Sequence, residues 1–235
     1  VTLMMVNNET GAVTDIAGVA RALRAAKSRA LLHTDAVQGF MKEPFSAKTL
    51  GADMISVSGH KVHAPKGIGA LYIRQGLKLP AHILGGGQEE GMRSGTEPMP
   101  QIAAFGEAVR IAKAEMPEAN KRMEALRAQC VQTLTDTVPD IVFLGGGSAH
   151  ILSLSLPGYR SEVLMNYLEA KGIYVSKSSA CKRGKRSHVL EAIGAPDKVI
   201  DGALRVSFSR YTTEAECSAF CEALAAARRE LYPSL

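Results

Sequence analysis

The sequence predicts an α/β fold that continues into a C-terminal α+β domain. Near the start of the chain, strand-like and helical segments alternate, which is typical of a mostly parallel sheet with right-handed crossovers. Later, residues 150–156 and 204–209 alternate apolar with polar side chains, which indicates antiparallel strands with one exposed face. The chain has 235 residues, 46% of them hydrophobic and 22% charged, as in ordinary globular proteins. We predict a partial large domain at residues 1–116 and a small domain at residues 117–235.

The elements of the predicted large domain follow from apolar runs and helix signals. Residues 2–6 and 30–32 are apolar runs that predict the first two strands. Asp15 stands where it can cap a helix whose apolar residues have helical spacing. Residues 47–50 predict a short helix, and residues 54–57 predict a buried third strand.

The predicted small domain contains further helices. The pattern is helical from residue 97 to about residue 136. Two shorter helices are predicted at residues 161–170 and 187–193, each closed by a glycine. Thr213 and Glu216 have the spacing of a capping box, which predicts the start of the last helix.

Polar residues follow each of the first three strands. Because the carboxyl ends of parallel strands meet along one edge of a sheet, we expect these side chains to line one crevice. The residues are Asn8, Asp35, Gln38, Ser58, His60 and Lys61.

Lys61 is the first candidate for chemistry. It follows a buried strand, in a loop that Pro65 and Gly67 make irregular. Its position alone fits three interpretations: an amine that captures a carbonyl group, a phosphate ligand, or a solvated loop lysine. Together with Asp35, it suits pyridoxal 5′-phosphate, because an amine condenses with the aldehyde and a carboxylate pairs with the ring nitrogen. An unperturbed lysine, with a pKa of about 10.4, is a poor nucleophile at neutral pH, and imine formation avoids this problem.

A glycine-rich loop occupies residues 85–96. It does not have the order of residues that a P-loop requires, and no strand directly precedes it as in a dinucleotide fingerprint. It is therefore either a flexible connector or an anion-binding loop, for which Arg93, Ser94 and Thr96 are the candidate side chains.

Cys181 and Arg205 are the candidates in the second half. Cys181 lies in a loop of small residues, and nearby cations favour the reactive thiolate form of a cysteine. The alternative is an ordinary cysteine in a basic surface loop. Arg205 stands on an alternating strand and either binds a substrate carboxylate through two parallel hydrogen bonds or is solvated. The cations that follow Cys181 are Lys182, Arg183, Lys185 and Arg186.

Composition makes several classes of protein unlikely candidates. The net charge of +5 is mildly basic, but no nucleic-acid motif is present, so we expect no direct nucleic-acid binding. No apolar run has the length of a membrane span, and the N-terminus does not resemble a signal peptide. The four cysteines form no CxxC pair, so we expect neither a metal site nor a disulfide framework. Cys217 and Cys221 are predicted to be core residues, and a reducing cytoplasm fits best.

Several motifs in this order resemble those of the cysteine desulfurases. These are class V pyridoxal-phosphate enzymes with the aminotransferase fold, called fold type I. The motifs are VNNETG, HTDAVQ, SVSGHKVHAPKGIGALY, GGGQEEGMRSGTEP, SSAC, SHVLEAIG and LRVSFSRYTTEAE. The resemblance covers the whole chain, and the motifs are specific only in combination.

The resemblance implies a role for each residue around the cofactor. Lys61 would hold pyridoxal phosphate covalently, and Asp35 would pair with its ring nitrogen. Gln38 and Asn8 would hydrogen-bond the region of the ring hydroxyl, and Asn8 would also contact the substrate.

The remaining implied roles concern the phosphate, the substrate and the sulfur. Ser58 and His60 would hold the phosphate, and His60 is also a catalytic candidate beside the cofactor lysine. Thr96 would reach the phosphate of a neighbouring subunit, which implies a homodimer. Arg205 would bind the carboxylate of L-cysteine, and Cys181 would take its sulfur as a persulfide. An acceptor protein would then receive that sulfur for iron–sulfur cluster assembly or tRNA thiolation.

Two departures from the family pattern give rise to further expectations. The segment after Cys181 is shorter and more basic than the corresponding family loop. The chain starts within a strand and does not include the Ala-Thr phosphate-binding turn and the ring-stacking histidine of the family, so we expect a C-terminal portion with weak or no turnover by itself. The alternatives are a selenocysteine lyase, a class V aminotransferase, or a non-catalytic fragment that binds a sulfur-acceptor protein.

Overall fold

The computed structural model describes residues 1–177 and 186–233, which form two compact units. The predicted division at residues 116 and 117 stays a prediction, and the units differ from it in a short segment near the N-terminus. The first unit contains Val1–Val6 and Thr14–Met116, and the second contains Asn7–Val13 and Pro117–Leu235.

The first unit contains a four-stranded sheet in the order β1-β2-β3-β4. The first three strands are parallel and β4 runs antiparallel to β3, so the prediction of a mostly parallel sheet is confirmed. Its elements are β1 (Thr2–Met4), α1 (Ile16–Ala25), β2 (His33–Asp35), α2 (Ala47–Leu50), β3 (Met54–Ser58) and β4 (Gly69–Ile73).

The second strand begins later than predicted, so the prediction of a strand at residues 30–32 is wrong. The backbone N–H of Leu32 donates to the Asp53 carboxylate at 2.7 Å and is therefore not part of the β-ladder. Pairing starts at His33, opposite Met54. Asp35 is consequently the last residue of β2, not part of a turn after it.

Both helices between the parallel strands begin at side-chain caps. Asp15 accepts a hydrogen bond from the Gly18 N–H at 2.7 Å, as predicted for the N-cap of α1. Ser46 and Thr49 form a reciprocal capping box at the start of α2, which has the bounds that the sequence predicts.

A 39-residue helix, α3 (Met99–Thr137), contains residues of both units and has Pro117 inside it. The second unit has a sheet in the order β5-β6-β8-β7, and all its neighbouring strands are antiparallel. Its other elements are β5 (Val142–Phe143), β6 (Ile151–Ser155), α4 (Ser161–Glu169), β7 (Ser176–Lys177), α5 (His188–Ala192), α6 (Asp197–Asp201), β8 (Ala203–Ser207) and α7 (Glu214–Glu230).

The core of the second unit is formed around β6. The alternating pattern predicted that Ser153 and Ser155 face solvent, and this is wrong because every residue of β6 is buried. Ser155 satisfies its hydroxyl by donating to the Val199 carbonyl in α6 at 2.6 Å. A hydrogen-bonded serine can be buried without the penalty of an unsatisfied hydroxyl, which polar alternation alone does not reveal.

The three described cysteines belong to this core. Cys130, Cys217 and Cys221 are all buried, as predicted for the last two. Burial raises the pKa of the Cys217 thiol to about 12, so it is protonated at neutral pH.

Among the helices that the structure describes, none is long and apolar enough to cross a bilayer.

Leu154 in β6 offers a test of this core. Its side chain is fully buried, and we expect Leu154→Ala to lower the free energy of unfolding by about 2–5 kcal/mol, because the removed methyl groups leave a cavity. Urea unfolding followed by circular dichroism measures the effect. Leu84→Ala is the matched control, since Leu84 is 83% exposed, and we expect it to change the unfolding free energy by less than about 0.5 kcal/mol.

Candidate functional site

Lys61 lies in a 3-10 turn, Gly59–Val62, that directly follows β3. The Gly59 N–H donates to the Ile68 carbonyl at 2.9 Å, which closes the loop between β3 and β4. A Cβ at position 59 would lie 2.7 Å from the Ile68 Cγ2 atom, so only glycine fits this close approach. The turn ends at His63, whose φ of 67° is left-handed and whose N–H donates to the Gly59 carbonyl. The lysine is therefore held in a defined turn at the carboxyl end of a strand.

Asp35 ends the neighbouring parallel strand. It pairs in register with Ser56, two residues before the end of β3. Its Oδ1 atom accepts a hydrogen bond from the Val37 N–H at 2.9 Å. Within the described part of the chain, its Oδ2 atom accepts none. One carboxylate oxygen thus orients the side chain, and the other is available to a ligand.

Gln38 lies in the turn that follows Asp35. Its side chain is only 8% exposed, although the prediction places it in a polar cluster. The turn packs closely on the residue that follows β1, since a Cβ at Gly39 would lie 2.5 Å from the Met5 sulfur. Gln38 therefore lies in a closely packed turn and is largely withdrawn from solvent.

Ser58 and His60 contact each other. Ser58 Oγ and His60 Nδ1 are 2.7 Å apart, and the tautomer of the imidazole decides which atom donates. If the serine donates, the histidine Nε2 carries a proton; if Nδ1 donates, the serine hydroxyl proton remains available. Either arrangement leaves one donor for an anion.

These residues of the first unit fit pyridoxal phosphate by their chemistry. An amine is present for the aldehyde, and Asp35 has a carboxylate oxygen available for a protonated ring nitrogen. The Ser58 and His60 pair keeps a donor for a phosphate oxygen. The amine, the carboxylate and the phosphate donor thus come from β2, β3 and the turn after β3.

Thr96 is the last residue of the glycine-rich loop. Gly95 has a φ of 127°, and its N–H donates to the Gln88 side chain at 3.1 Å. Ser94 is buried, and its hydroxyl accepts the Gly87 N–H at 3.4 Å. The loop is therefore held by its own side chains, while Thr96 is exposed. Its predicted contact with the phosphate of a neighbouring subunit stays a prediction.

Lys42 is a residue that the sequence reasoning missed. It follows Gln38 by four positions, and its Nζ atom donates to the Lys61 carbonyl oxygen at 3.0 Å. Burial, and then the charge of Lys61, lower the pKa of Lys42 to about 8. Its position four residues after Gln38, in the turn that follows β2, is the signal in the sequence that could have pointed to it.

In the second unit, Arg205 contacts the segment that contains Asn8. The Arg205 Nη1 atom donates to the Asn8 carbonyl oxygen at 2.8 Å, and Arg205 is half-buried. It is thus more constrained than a solvated strand arginine. In the sheet, Arg205 lies opposite Ser176, which is two residues before the undescribed segment.

Cys181 lies outside the described residues, within residues 178–185. The residues on both sides of that segment are well anchored. Before it, Lys177 pairs with Glu162. After it, Arg186 forms ion pairs with Asp197 and Asp201 at 2.8 Å each. The hydrogen bonds to Asp201 and Asp197 raise the pKa of Arg186 above its already high value, so this cation is permanent.

Glu9 has a structural role that the sequence did not reveal. Its carboxylate accepts a hydrogen bond from the Ser187 hydroxyl, and both residues are buried. The same hydroxyl caps α5 by accepting the Leu190 N–H at 3.1 Å. Residues Asn7–Val13 are therefore linked to Ser187, which lies two positions after the undescribed residues 178–185.

Comparison with known proteins identifies relatives with this arrangement of elements. The model of the family "Aminotransferase class-V" matches residues 1–220. "Cysteine desulfurase 2" of Trichormus variabilis is 42% identical over 221 residues, which cover 92% of this chain and 55% of that protein. "Cysteine desulfurase IscS" of Tolumonas auensis is 42% identical over 224 residues, which cover 92% and 54%. The chain therefore spans about half the length of these curated relatives.

Solved structures are similar to most of the chain. One described as "NIFS-LIKE PROTEIN" superposes with a TM-score of 0.90 at 37% sequence identity, over 98% of this chain and 61% of that one. A NifS-like protein from Rickettsia africae superposes with a TM-score of 0.88 at 27% identity, over 97% and 61%. The neighbours thus share the fold predicted here, that of the fold type I pyridoxal-phosphate enzymes. Since the family model matches 220 consecutive residues, the chain belongs to the aminotransferase class V family.

Proposed function

We propose that the protein containing this chain is a cysteine desulfurase, which converts L-cysteine to L-alanine and holds the released sulfur on Cys181 as a persulfide. Enzymes of this family depend on pyridoxal phosphate. The observation that carries the proposal is that Lys61 and Asp35 follow or end neighbouring parallel strands in the first unit. We assign the activity to the whole protein, because the chain corresponds to 55% of the length of a cysteine desulfurase relative.

The side chains of the first unit would hold the cofactor. Pyridoxal phosphate, when bound, supplies an aldehyde for amines and a ring that withdraws electrons from the substrate carbon. Asp35 would accept a hydrogen bond from the ring nitrogen and so keep it protonated. Ser58 and His60 would donate to the phosphate. Lys61 would be the amine that bonds to the cofactor and, once displaced by the substrate amine, would move the proton at the substrate Cα.

The second unit would bind the substrate carboxylate. Arg205 is oriented by its hydrogen bond to the Asn8 carbonyl oxygen, and a guanidinium group can form two parallel hydrogen bonds to a carboxylate. Asn8, whose carbonyl oxygen accepts the hydrogen bond from Arg205, would also contact the substrate. The position of Arg205 opposite Ser176, near the start of the Cys181 segment, supports a role for both residues with one substrate.

Cys181 would perform the sulfur transfer. Its thiolate would attack the sulfur atom of the substrate, so that an S–S bond forms while the Cβ–S bond breaks. The electron pair of the broken bond goes to the substrate carbon framework, which takes up a proton and becomes alanine. The three other cysteines are buried in the core of the second unit and are poorly placed for this reaction.

The persulfide would be passed to an acceptor protein. An iron–sulfur scaffold and a tRNA-thiolation relay are the acceptor classes that the resemblance implies, and one relative is named "Cysteine desulfurase IscS". Homodimer formation and a cytoplasmic location stay predictions from the same resemblance.

Covalent capture of the cofactor tests the role of Lys61. After incubation with pyridoxal phosphate and reduction with borohydride, we expect mass spectrometry of peptides to find the pyridoxyl group on Lys61, because this amine lies beside the groups that fit the ring and the phosphate. Lys61→Ala should abolish this label. Lys66→Ala, which removes an exposed lysine of the same loop, should leave it unchanged. A label spread evenly over surface lysines would contradict the proposal.

The persulfide prediction concerns Cys181. With L-cysteine and pyridoxal phosphate, we expect Cys181→Ala to lower alanine production by at least about 100-fold, because the sulfur loses its nucleophilic acceptor. Alanine is measured by amino-acid analysis and the persulfide by alkylation and mass spectrometry. Cys217→Ala is the control, since it removes a buried core thiol. Turnover that does not depend on Cys181 would favour an aminotransferase.

Substrate binding by Arg205 is tested with the variant Arg205→Lys. We expect kcat/KM for L-cysteine to fall by about 10- to 100-fold, mainly through KM, because a lysine cannot form two parallel hydrogen bonds to the carboxylate. Arg229→Lys, at an exposed position of α7, is the matched control. An unchanged KM in the Arg205 variant would show that the carboxylate binds elsewhere.

A further inference from the structure

A second lysine lies against the backbone of the lysine that would hold the cofactor. Lys42 comes from the turn after β2, and Lys61 from the turn after β3. The Nζ atom of Lys42 donates to the Lys61 carbonyl oxygen at 3.0 Å, and the Lys42 side chain is partly buried. This contact joins the turn that follows Asp35 to the turn that contains Lys61.

The arrangement is unfavourable for an ordinary structural lysine. Removing an ammonium group from water costs free energy, and a second ammonium nearby adds repulsion. Both effects are present, since burial and the charge of Lys61 lower the pKa of Lys42 to about 8. A neutral donor would make the same hydrogen bond without these costs. Lys42 therefore lies where burial and the charge of Lys61 both disfavour its ammonium form.

The electrostatic effect between two lysines is reciprocal. If the charge of Lys61 disfavours protonation of Lys42, then the charge of Lys42 equally disfavours protonation of Lys61. The other titratable groups on the same two loops are Glu43, His60, His63 and Lys66, and the charge of Lys66 is screened by solvent because this residue is exposed.

We propose that Lys42 is a positioning residue for Lys61, which holds its turn through the carbonyl oxygen and, while charged, keeps the Lys61 amine reactive towards carbonyl compounds near neutral pH. The inference rests on the proposed function, in which Lys61 is the amine that bonds to pyridoxal phosphate. In this proposal, the turn between Gln38 and α2 takes part in the reaction of Lys61 as well as in binding the cofactor ring.

The pH window of the effect follows from Lys42 itself. Because its pKa is about 8, Lys42 is charged below that pH and becomes neutral as the pH rises through it. The charge effect on Lys61 is therefore fully present below about pH 7 and fades above about pH 9. The hydrogen bond to the Lys61 carbonyl oxygen can persist at higher pH, because a neutral amine still donates.

Reductive methylation tests the inference without the cofactor. Isotope-labelled formaldehyde and cyanoborohydride modify lysine amines in their neutral form, and peptide mass spectrometry gives the rate at each lysine from pH 6.5 to 9.5. We expect Lys61 to react faster at pH 7 than Lys66, the exposed lysine of the same loop that serves as an internal reference. Lys42→Met should slow Lys61 about tenfold at pH 7, which corresponds to one pK unit. Lys42→Arg, which keeps both charge and donor, should preserve the fast reaction.

Two controls separate charge from structure. Lys48→Met removes an exposed lysine of α2 and should leave the Lys61 rate unchanged. Thermal unfolding verifies that each variant is folded. If Lys42→Met does not fold, the comparison of Lys61 with Lys66 in the unsubstituted chain decides, and equal rates at pH 7 overturn the inference. The inference is also overturned if Lys61 is methylated at the same rate in Lys42→Met and in the unsubstituted chain.

Failure of the inference and failure of the proposed function give different results. Formaldehyde needs no cofactor site, so the Lys42 effect is measured even in protein that does not bind pyridoxal phosphate. Absence of the pyridoxyl label on Lys61, with a methylation rate that still depends on Lys42, would contradict the proposed function alone. A specific pyridoxyl label with a methylation rate that is independent of Lys42 would overturn the inference alone.

Discussion

Backbone pairing between β2 and β3 determines where the chemistry of the first unit lies. Asp35 is paired in register with Ser56, and the strand that contains Ser56 ends at the turn of Lys61. A shift of one residue in this pairing would turn the Asp35 side chain to the other face of the sheet. The acid, the amine and the Ser58 and His60 pair therefore depend on one ladder of hydrogen bonds.

In the second unit, several contacts hold the residues that flank the undescribed residues 178–185. Ser176 pairs with Arg205 in the sheet, Arg186 binds two aspartates of the α6 region, and Ser187 donates to Glu9. These contacts fix where the chain enters and leaves the undescribed residues.

Nearby positive charge is common to the two nucleophiles that we propose, Cys181 and Lys61. In the sequence, Cys181 is followed by Lys182, Arg183, Lys185 and Arg186, and nearby cations favour a thiolate. Lys61 has the Lys42 ammonium group against its own backbone, and in our proposal this charge favours a neutral amine. In both proposals, positive charge would thus make the nucleophile more reactive.

The sequence by itself determined the parallel sheet, the capped helices, the motifs of the family and the residue types around Lys61. These follow from local propensity and spacing, which the chain carries in short segments. Only the tertiary structure decided that pairing of β2 begins at His33, that Ser155 is buried and that Lys42 reaches the Lys61 backbone. The physical reason is the same in each case: these features depend on hydrogen-bond partners that lie 19 or more residues away. A local pattern cannot specify such partners, because they come into contact only when the strands and turns pack together.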